Sequence, residues 1–244
     1  MAENRASGNE EAYAEGVPCW VDAELPDVEA GKRFYGELFG WTFEDAYGSS
    51  VWALLAGRPV ASLAPKTDGR MPTVWTVSFA TPDATALGRR IIAAGGQVVM
   101  APFPVGDLGV AALATDTEGA VFGLWQPGTH PGFGRRHEPG AFVWAELYTR
   151  DTAAANTFYG GLFHDALFGA DAEPDFGRAA VTEIFPAEMP PHFVTHFRVT
   201  DLDDALGAVQ RLDGRVQVPP FETSYGRVAV VTDNQGASFA LLQR

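Results

Sequence analysis

The sequence predicts an α+β protein built from four β-α-β-β-β modules arranged as two tandem domains. Three observations carry this. Gly16 to Phe43 (GVPCWVDAELPDVEAGKRFYGELFGWTF) lies without a gap over Gly140 to Leu167 (GAFVWAELYTRDTAAANTFYGGLFHDAL), matching Trp20 with Trp144, Asp27 with Asp151 and Phe34-Tyr35-Gly36 with Phe158-Tyr159-Gly160. The closing run DTEGAVFGLWQ (Asp116 to Gln126) is answered by DNQGASFALLQ (Asp233 to Gln243), and Pro102-Phe103 by Pro220-Phe221, so the duplication spans the chain. Within each copy the apolar spacing switches from strand-like to helical and back.

The first module shows the pattern. Cys19 to Leu25 alternates as a strand, and Asp27 is placed to cap a helix in which Ala30, Phe34, Tyr35 and Leu38 recur at helical spacing. Three short apolar runs follow, Trp41 to Phe43, Ser50 to Ala56 and Pro59 to Ala64, each bounded by Gly, Ser or Pro. The second module reads as strand Thr73 to Ala80, helix Asp83 to Ala94, then strands Gln97 to Ala101, Gly109 to Thr115 and Ala120 to Gln126. Residues 1–14 read as a flexible tail, 15–126 as the first domain, the Pro/Gly/His-rich stretch 127–139 as a linker, and 140–244 as the second domain.

The chain has 17 Lys+Arg against 31 Asp+Glu, a formal net charge of −14, which argues against nucleic acid and acidic lipid as partners. At 46% hydrophobic residues there is material for a sizeable core. One cysteine, Cys19, excludes an intramolecular disulfide and a cysteine-based zinc site. The acidic N-terminus lacks the apolar stretch of a signal peptide and no later segment matches a membrane span, so a cytoplasmic protein, monomer or homodimer, is expected.

Four such modules, each with an Asp after its first strand, FYG.LFG in the odd ones with His164 replacing the final Gly in the third, and D..G....L closing the even ones, resemble the vicinal oxygen chelate superfamily of glyoxalases, bleomycin-resistance proteins and extradiol dioxygenases. The resemblance covers nearly all of Gly16 to Arg244 and implies curved mixed sheets around cavities, with helices on the convex side. Alternation then sends Cys19, Val21, Ala23, Leu25, Val143, Ala145, Leu147, Phe193, Thr195, Phe197 and Val199 toward the helices. Trp20, Asp22, Glu24, Thr76, Ser78, Trp144, Glu146, Tyr148, His192, Val194, His196 and Arg198 face the cavities.

In metal-dependent relatives, a His or Gln stands about seven residues before the module's Asp, and a Glu stands in the closing strand of an even module. Here those positions hold Trp20, Thr76, Trp144, Val194, Gly123 and Ala240, so the resemblance implies the fold without the usual metal, and no cofactor is expected. His192 and His196 share a strand face but stand about 13 Å apart along it, too far to grip one ion.

The candidate catalytic residues are Glu146, His192, His196 and Asp22, since cavity carboxylates and imidazoles can move protons near neutral pH. Arg198 is a candidate ion-pair partner for the carboxylates. Candidate ligand contacts are Trp20, Glu24, Thr76, Trp144, Tyr148, Val194 and Arg198 on the strands, with Phe103, Phe221 and Tyr225 expected in loops that close the cavities. His130, His137 and His164 read as structural or exposed. The expected function is metal-independent binding of a small organic molecule, natural product or metabolite, in an aromatic-lined cavity. The alternatives are a metal-independent lyase, isomerase or cyclase working through a cavity carboxylate and histidine, or an interaction protein with vestigial cavities. Of the two cavities, the second, which holds both histidines, is the expected functional one.

Overall fold

The computed structural model describes residues 13–244 apart from 71, 171, 173, 174 and 187; most of the expected tail, residues 1–12, lies outside them. Its last residues are not loose. Tyr13 packs edge-on against Phe133, and its hydroxyl donates to the Phe133 carbonyl at 3.0 Å.

The first half of the chain runs β1 (Pro18–Leu25), α1 (Val28–Phe39), β2 (Thr42–Asp45), β3 (Val51–Leu55), β4 (Arg58–Pro65), β5 (Trp75–Ala80), α2 (Ala84–Ala93), β6 (Gln97–Val105), β7 (Gly109–Thr115) and β8 (Val121–Pro127). The second half runs β9 (Phe142–Thr149), α3 (Thr152–Leu162), α4 (His164–Phe168), β10 (Phe176–Ala180), a 3-10 turn at Val181–Glu183, β11 (His192–Val199), α5 (Leu202–Arg211), β12 (Arg215–Thr223), β13 (Gly226–Thr232) and β14 (Ser238–Gln243). The module aspartates are helix caps in every case. Asp27, Asp83, Asp151 and Asp201 accept from Ala30, Ala86, Ala154 and Asp204 N–H respectively, satisfying donors that the first helical turn leaves unpaired.

The strands form two mixed sheets, ordered β2-β3-β4-β1-β5-β8-β7-β6 and β10-β9-β11-β14-β13-β12. In each, the leading strands of its two modules lie antiparallel at the centre, β1 on β5 and β9 on β11, with a parallel strand outside each. The third module departs from the expected β-α-β-β-β. Among the described residues it keeps one strand after its helices, β10, which takes the place of β4. The stretch from Gly169 to Pro191 carries one sustained apolar run and four prolines, each of which lacks an N–H to donate to a strand ladder.

The helix-bearing faces of both sheets share one core, in which Phe79 meets Phe193 at 5.9 Å and Trp75 meets Phe197 at 5.2 Å. The repeat motifs join across it. The Tyr35 hydroxyl donates to Asp233 at 2.9 Å and the Tyr159 hydroxyl to Asp116 at 3.1 Å, so each FYG helix is clasped by the closing D..G turn of the other half. One face assignment is corrected. A register shift between Trp144 and Phe142 makes Val143 a bulge residue, so Phe142 packs into the shared core while Val143 joins a second apolar cluster on the opposite face.

Candidate functional site

The outer, concave faces of the two sheets have diverged. On the second sheet, β9 presents Trp144, Glu146 and Tyr148, and β11 pairs His196, Val194 and His192 opposite them in that order. Glu146 is 6% exposed. Its Oε2 accepts from Trp144 Nε1 at 2.6 Å and from the Tyr225 hydroxyl at 3.3 Å, while Oε1 has no hydrogen bond to a described residue. Burial raises the Glu146 carboxyl above its usual range, opposed by those two donors. The space comes partly from β10. Gly177 pairs with Glu146, and a Cβ there would meet Trp144 Cζ2 at 2.5 Å and Glu146 Oε1 at 2.8 Å. Gly177→Ala is therefore expected to displace the indole and carboxyl; unchanged far-ultraviolet circular dichroism alongside altered tryptophan fluorescence checks it.

Aromatic surface surrounds the carboxyl. The Trp144 and Tyr225 rings lie 5.6 Å apart at 31°, Tyr148 stacks on His192 at 5.9 Å, and Phe185 meets both of the latter edge-on at 4.9 Å. His192 Nδ1–H donates to the Pro190 carbonyl at 2.8 Å, which leaves Nε2 carrying the lone pair of the neutral ring. Desolvation lowers its pKa, favouring that neutral form. Val194 is buried opposite Glu146, and Phe221 and Met189 pack at the margin.

His196 is fully buried, its Nδ1–H donating to the Val194 carbonyl at 3.1 Å, and burial lowers its pKa to about 4. The ring is neutral and has no exposed surface. Arg198 does not pair with Glu146: its guanidinium donates to the His137 carbonyl at 2.7 Å. Phe103 and Phe221 stand in strands β6 and β12 and not in loops; Phe103, 38% exposed, is on the edge strand of the first sheet. Tyr225 occupies the β12–β13 turn.

On the first sheet, Asp22 stands between Ser62 and Thr76 on neighbouring strands, half-buried, and its carboxyl is pushed up to about 7 by burial and secondarily by Glu24. Glu24 is exposed. Trp20 is buried, its Nε1 donating to Ser62 at 3.1 Å, and rings from the 127–139 segment, His130 and Phe133, cover it. Sequence reasoning missed this covering, and the density of glycines around those two rings, PGTHPGFG, was its only signal.

Residues 23–124 match the model of the Glyoxalase/Bleomycin resistance protein/Dioxygenase superfamily. A protein of Mycobacterium tuberculosis (strain CDC 1551 / Oshkosh) named "Putative glyoxylase CFP32" is 34% identical over 95% of this chain and 96% of its own. The chain belongs to this superfamily. The anthracycline biosynthesis protein DauV of Streptomyces sp. (strain C5) is likewise 34% identical, over 95% of this chain and 94% of its own. The fold matches solved members. The Mn(II)-bound glyoxalase from Novosphingobium aromaticivorans aligns with a TM-score of 0.61 at 13% identity, over 93% of this chain and 82% of that one. The 2,3-dioxygenase LapB from Pseudomonas sp. KL28 aligns with a TM-score of 0.62 at 14% identity, over 96% and 94%.

The superfamily's metal positions do not fit an ion in this member. The Trp20 and Trp144 indole nitrogens are donors already committed to Ser62 and Glu146. Val194 and Ala240 are buried apolar residues, and Gly123 sits so close to Ser78 that a Cβ would meet its Oγ at 2.0 Å. Among the described residues, no three His, Cys, Asp or Glu side chains are grouped to hold an ion. No helix among them is long and apolar enough to cross a membrane.

Proposed function

We propose that this glyoxalase-superfamily member binds a small, planar aromatic molecule on the concave face of the second sheet, without a metal, as a freely diffusing cytoplasmic protein acting as monomer or homodimer. The carrying observation is Glu146: a buried carboxyl with one oxygen held by Trp144 and Tyr225 and the other uncommitted, set among aromatic rings. Such a site takes an aromatic plane against the indole and phenol and accepts a hydroxyl proton at Oε1. DauV's name, an anthracycline biosynthesis protein, supports an aromatic natural product or its precursor as the ligand class.

A second reading rests on the same geometry. Glu146 Oε1 and His192 Nε2 are two proton acceptors on adjacent strands, diagonal to one another in the register at roughly 7–8 Å between backbones. Either group could take a proton from a ligand held between them and return that same proton at another ligand atom, the chemistry of a lyase, isomerase or cyclase.

Titrating the protein with a hydroxylated anthraquinone, read by tryptophan fluorescence and calorimetry, tests the first reading. Saturable binding is expected, lost in Trp144→Ala and unaffected by prior dialysis against a chelator. Binding indifferent to Trp144→Ala would sink the site assignment, and chelator sensitivity would sink metal independence. Product appearing by mass spectrometry, abolished in His192→Asn with binding retained, would favour the enzyme.

A further inference from the structure

The concave face of the first sheet holds a cage of three indoles. Trp20 on β1, Trp52 on β3 and Trp125 on β8 surround one imidazole, that of His130, with ring centroids 4.4, 5.4 and 5.8 Å from it. Trp52 lies nearly parallel to the imidazole at 29°, whereas Trp20 and Trp125 meet it edge-on at 87° and 66°. These are the stacked and T-shaped geometries that aromatic pairs prefer. His130 is 6% exposed.

The backbone that delivers the ring is fastened to both halves of the sheet. His130 N–H donates to the Leu108 carbonyl at 3.1 Å on the β6–β7 side, and Gly134 N–H to Pro59 at 2.7 Å on the β4 side. The His130 carbonyl accepts from Trp125 Nε1 at 3.0 Å. Gly132, at φ 131°, lies so close to β1 that a Cβ would meet the Cys19 carbonyl oxygen at 2.5 Å. The segment is laid into the face as a ligand would be, with its anchors at either end and its ring at the centre.

A residue serving only to fill apolar space would carry no polar atom there. His130 Nε2 is buried without a hydrogen-bond partner among the described residues, a costly choice beside Leu or Phe. What the surroundings supply instead is aromatic surface on three sides.

We propose that the concave face of the first sheet is a binding site for a neutral N-heteroaromatic ring, and that this chain fills it with its own His130 imidazole. The site is a ligand face with an intrachain occupant. This stands independently of any ligand on the second sheet. Together with that reading, it means that the chain takes one external ligand and not two.

Removing the ring and offering it back in solution is the test. His130→Gly is expected to lower Tm by several degrees, and free imidazole, supplied above its own pKa so that it is neutral, to restore most of the loss saturably with one imidazole bound per chain. Wild-type protein should show no such response. A folded His130→Gly protein that binds no imidazole, or wild-type and variant responding alike, would overturn the proposal. Should the variant not fold, the wild-type ring itself decides. By NMR a caged His130 stays neutral down to about pH 4, where burial has taken its pKa. Titration near the ordinary ~6.5 would show a solvated ring and end the proposal.

Discussion

Replacing Glu146 with Gln is expected to lower the affinity of the second concave face for a hydroxylated aromatic ligand by about 10- to 100-fold, the magnitude of one hydrogen bond to a charged acceptor. The direction follows from the two donors. Trp144 Nε1 and the Tyr225 hydroxyl would hold the amide oxygen where Oε2 now stands, forcing the NH2 into the Oε1 position. The free acceptor becomes a donor, and a ligand hydroxyl then faces a hydrogen. Calorimetry of wild type and variant checks this, and equal affinities would remove Glu146 from the site. The pH dependence carries its own sign. Because burial raises the Glu146 pKa, the carboxylate gains its proton at pH values above the usual carboxylate range, and affinity for a donating hydroxyl falls there as pH is lowered. Glu146→Gln should be flat over that window.

The largest stability effect is expected at Asp233. Its Oδ1 accepts from Gln235 and Ala237 N–H, both at 2.8 Å, and Oδ2 from the Tyr35 hydroxyl at 2.9 Å across the shared core. Asp233→Ala strands a buried hydroxyl and a buried amide, and should cost about 3 kcal/mol. For a chain of this size that is a fall in Tm of roughly 6–12 °C. The twin clasp offers an internal comparison. Tyr35 also accepts from Trp75 Nε1 at 3.0 Å, whereas among the described residues the Tyr159 hydroxyl only donates to Asp116. Tyr35→Phe should therefore cost about 1 kcal/mol more than Tyr159→Phe in denaturant unfolding. Additivity of Tyr35→Phe with Asp233→Ala in a double-mutant cycle would show that the clasp contributes nothing.

Much of the fold is legible in the sequence alone. The gapless overlay of Gly16–Phe43 on Gly140–Leu167 marked the duplication, and the four capping aspartates marked where each module's helix begins, because capping is settled within three or four residues. Strand parity correctly set Trp144, Glu146, Tyr148 and His192 on one face, since side chains alternate with period two. It failed at Val143, where one bulged residue shifts the parity and nothing in the local pattern announces it. The third module's shortened strand set among the described residues was likewise hidden by the repeat symmetry.

What the sequence by itself determined is therefore what neighbours along the chain govern: the duplication, the helix caps, the alternation of faces wherever no bulge intervenes, and the residue types at the superfamily's metal positions. Only the tertiary structure decided which residues meet at long range. It joined Tyr35 to Asp233, tied Arg198 to the His137 carbonyl away from Glu146, and gave that carboxyl Trp144 and Tyr225 as donors. It also laid His130 among three tryptophans from three different strands. The reason is physical: caps and periodicity are local hydrogen-bonding and steric preferences, whereas burial and partner choice depend on how two curved sheets and the segment between them pack in space.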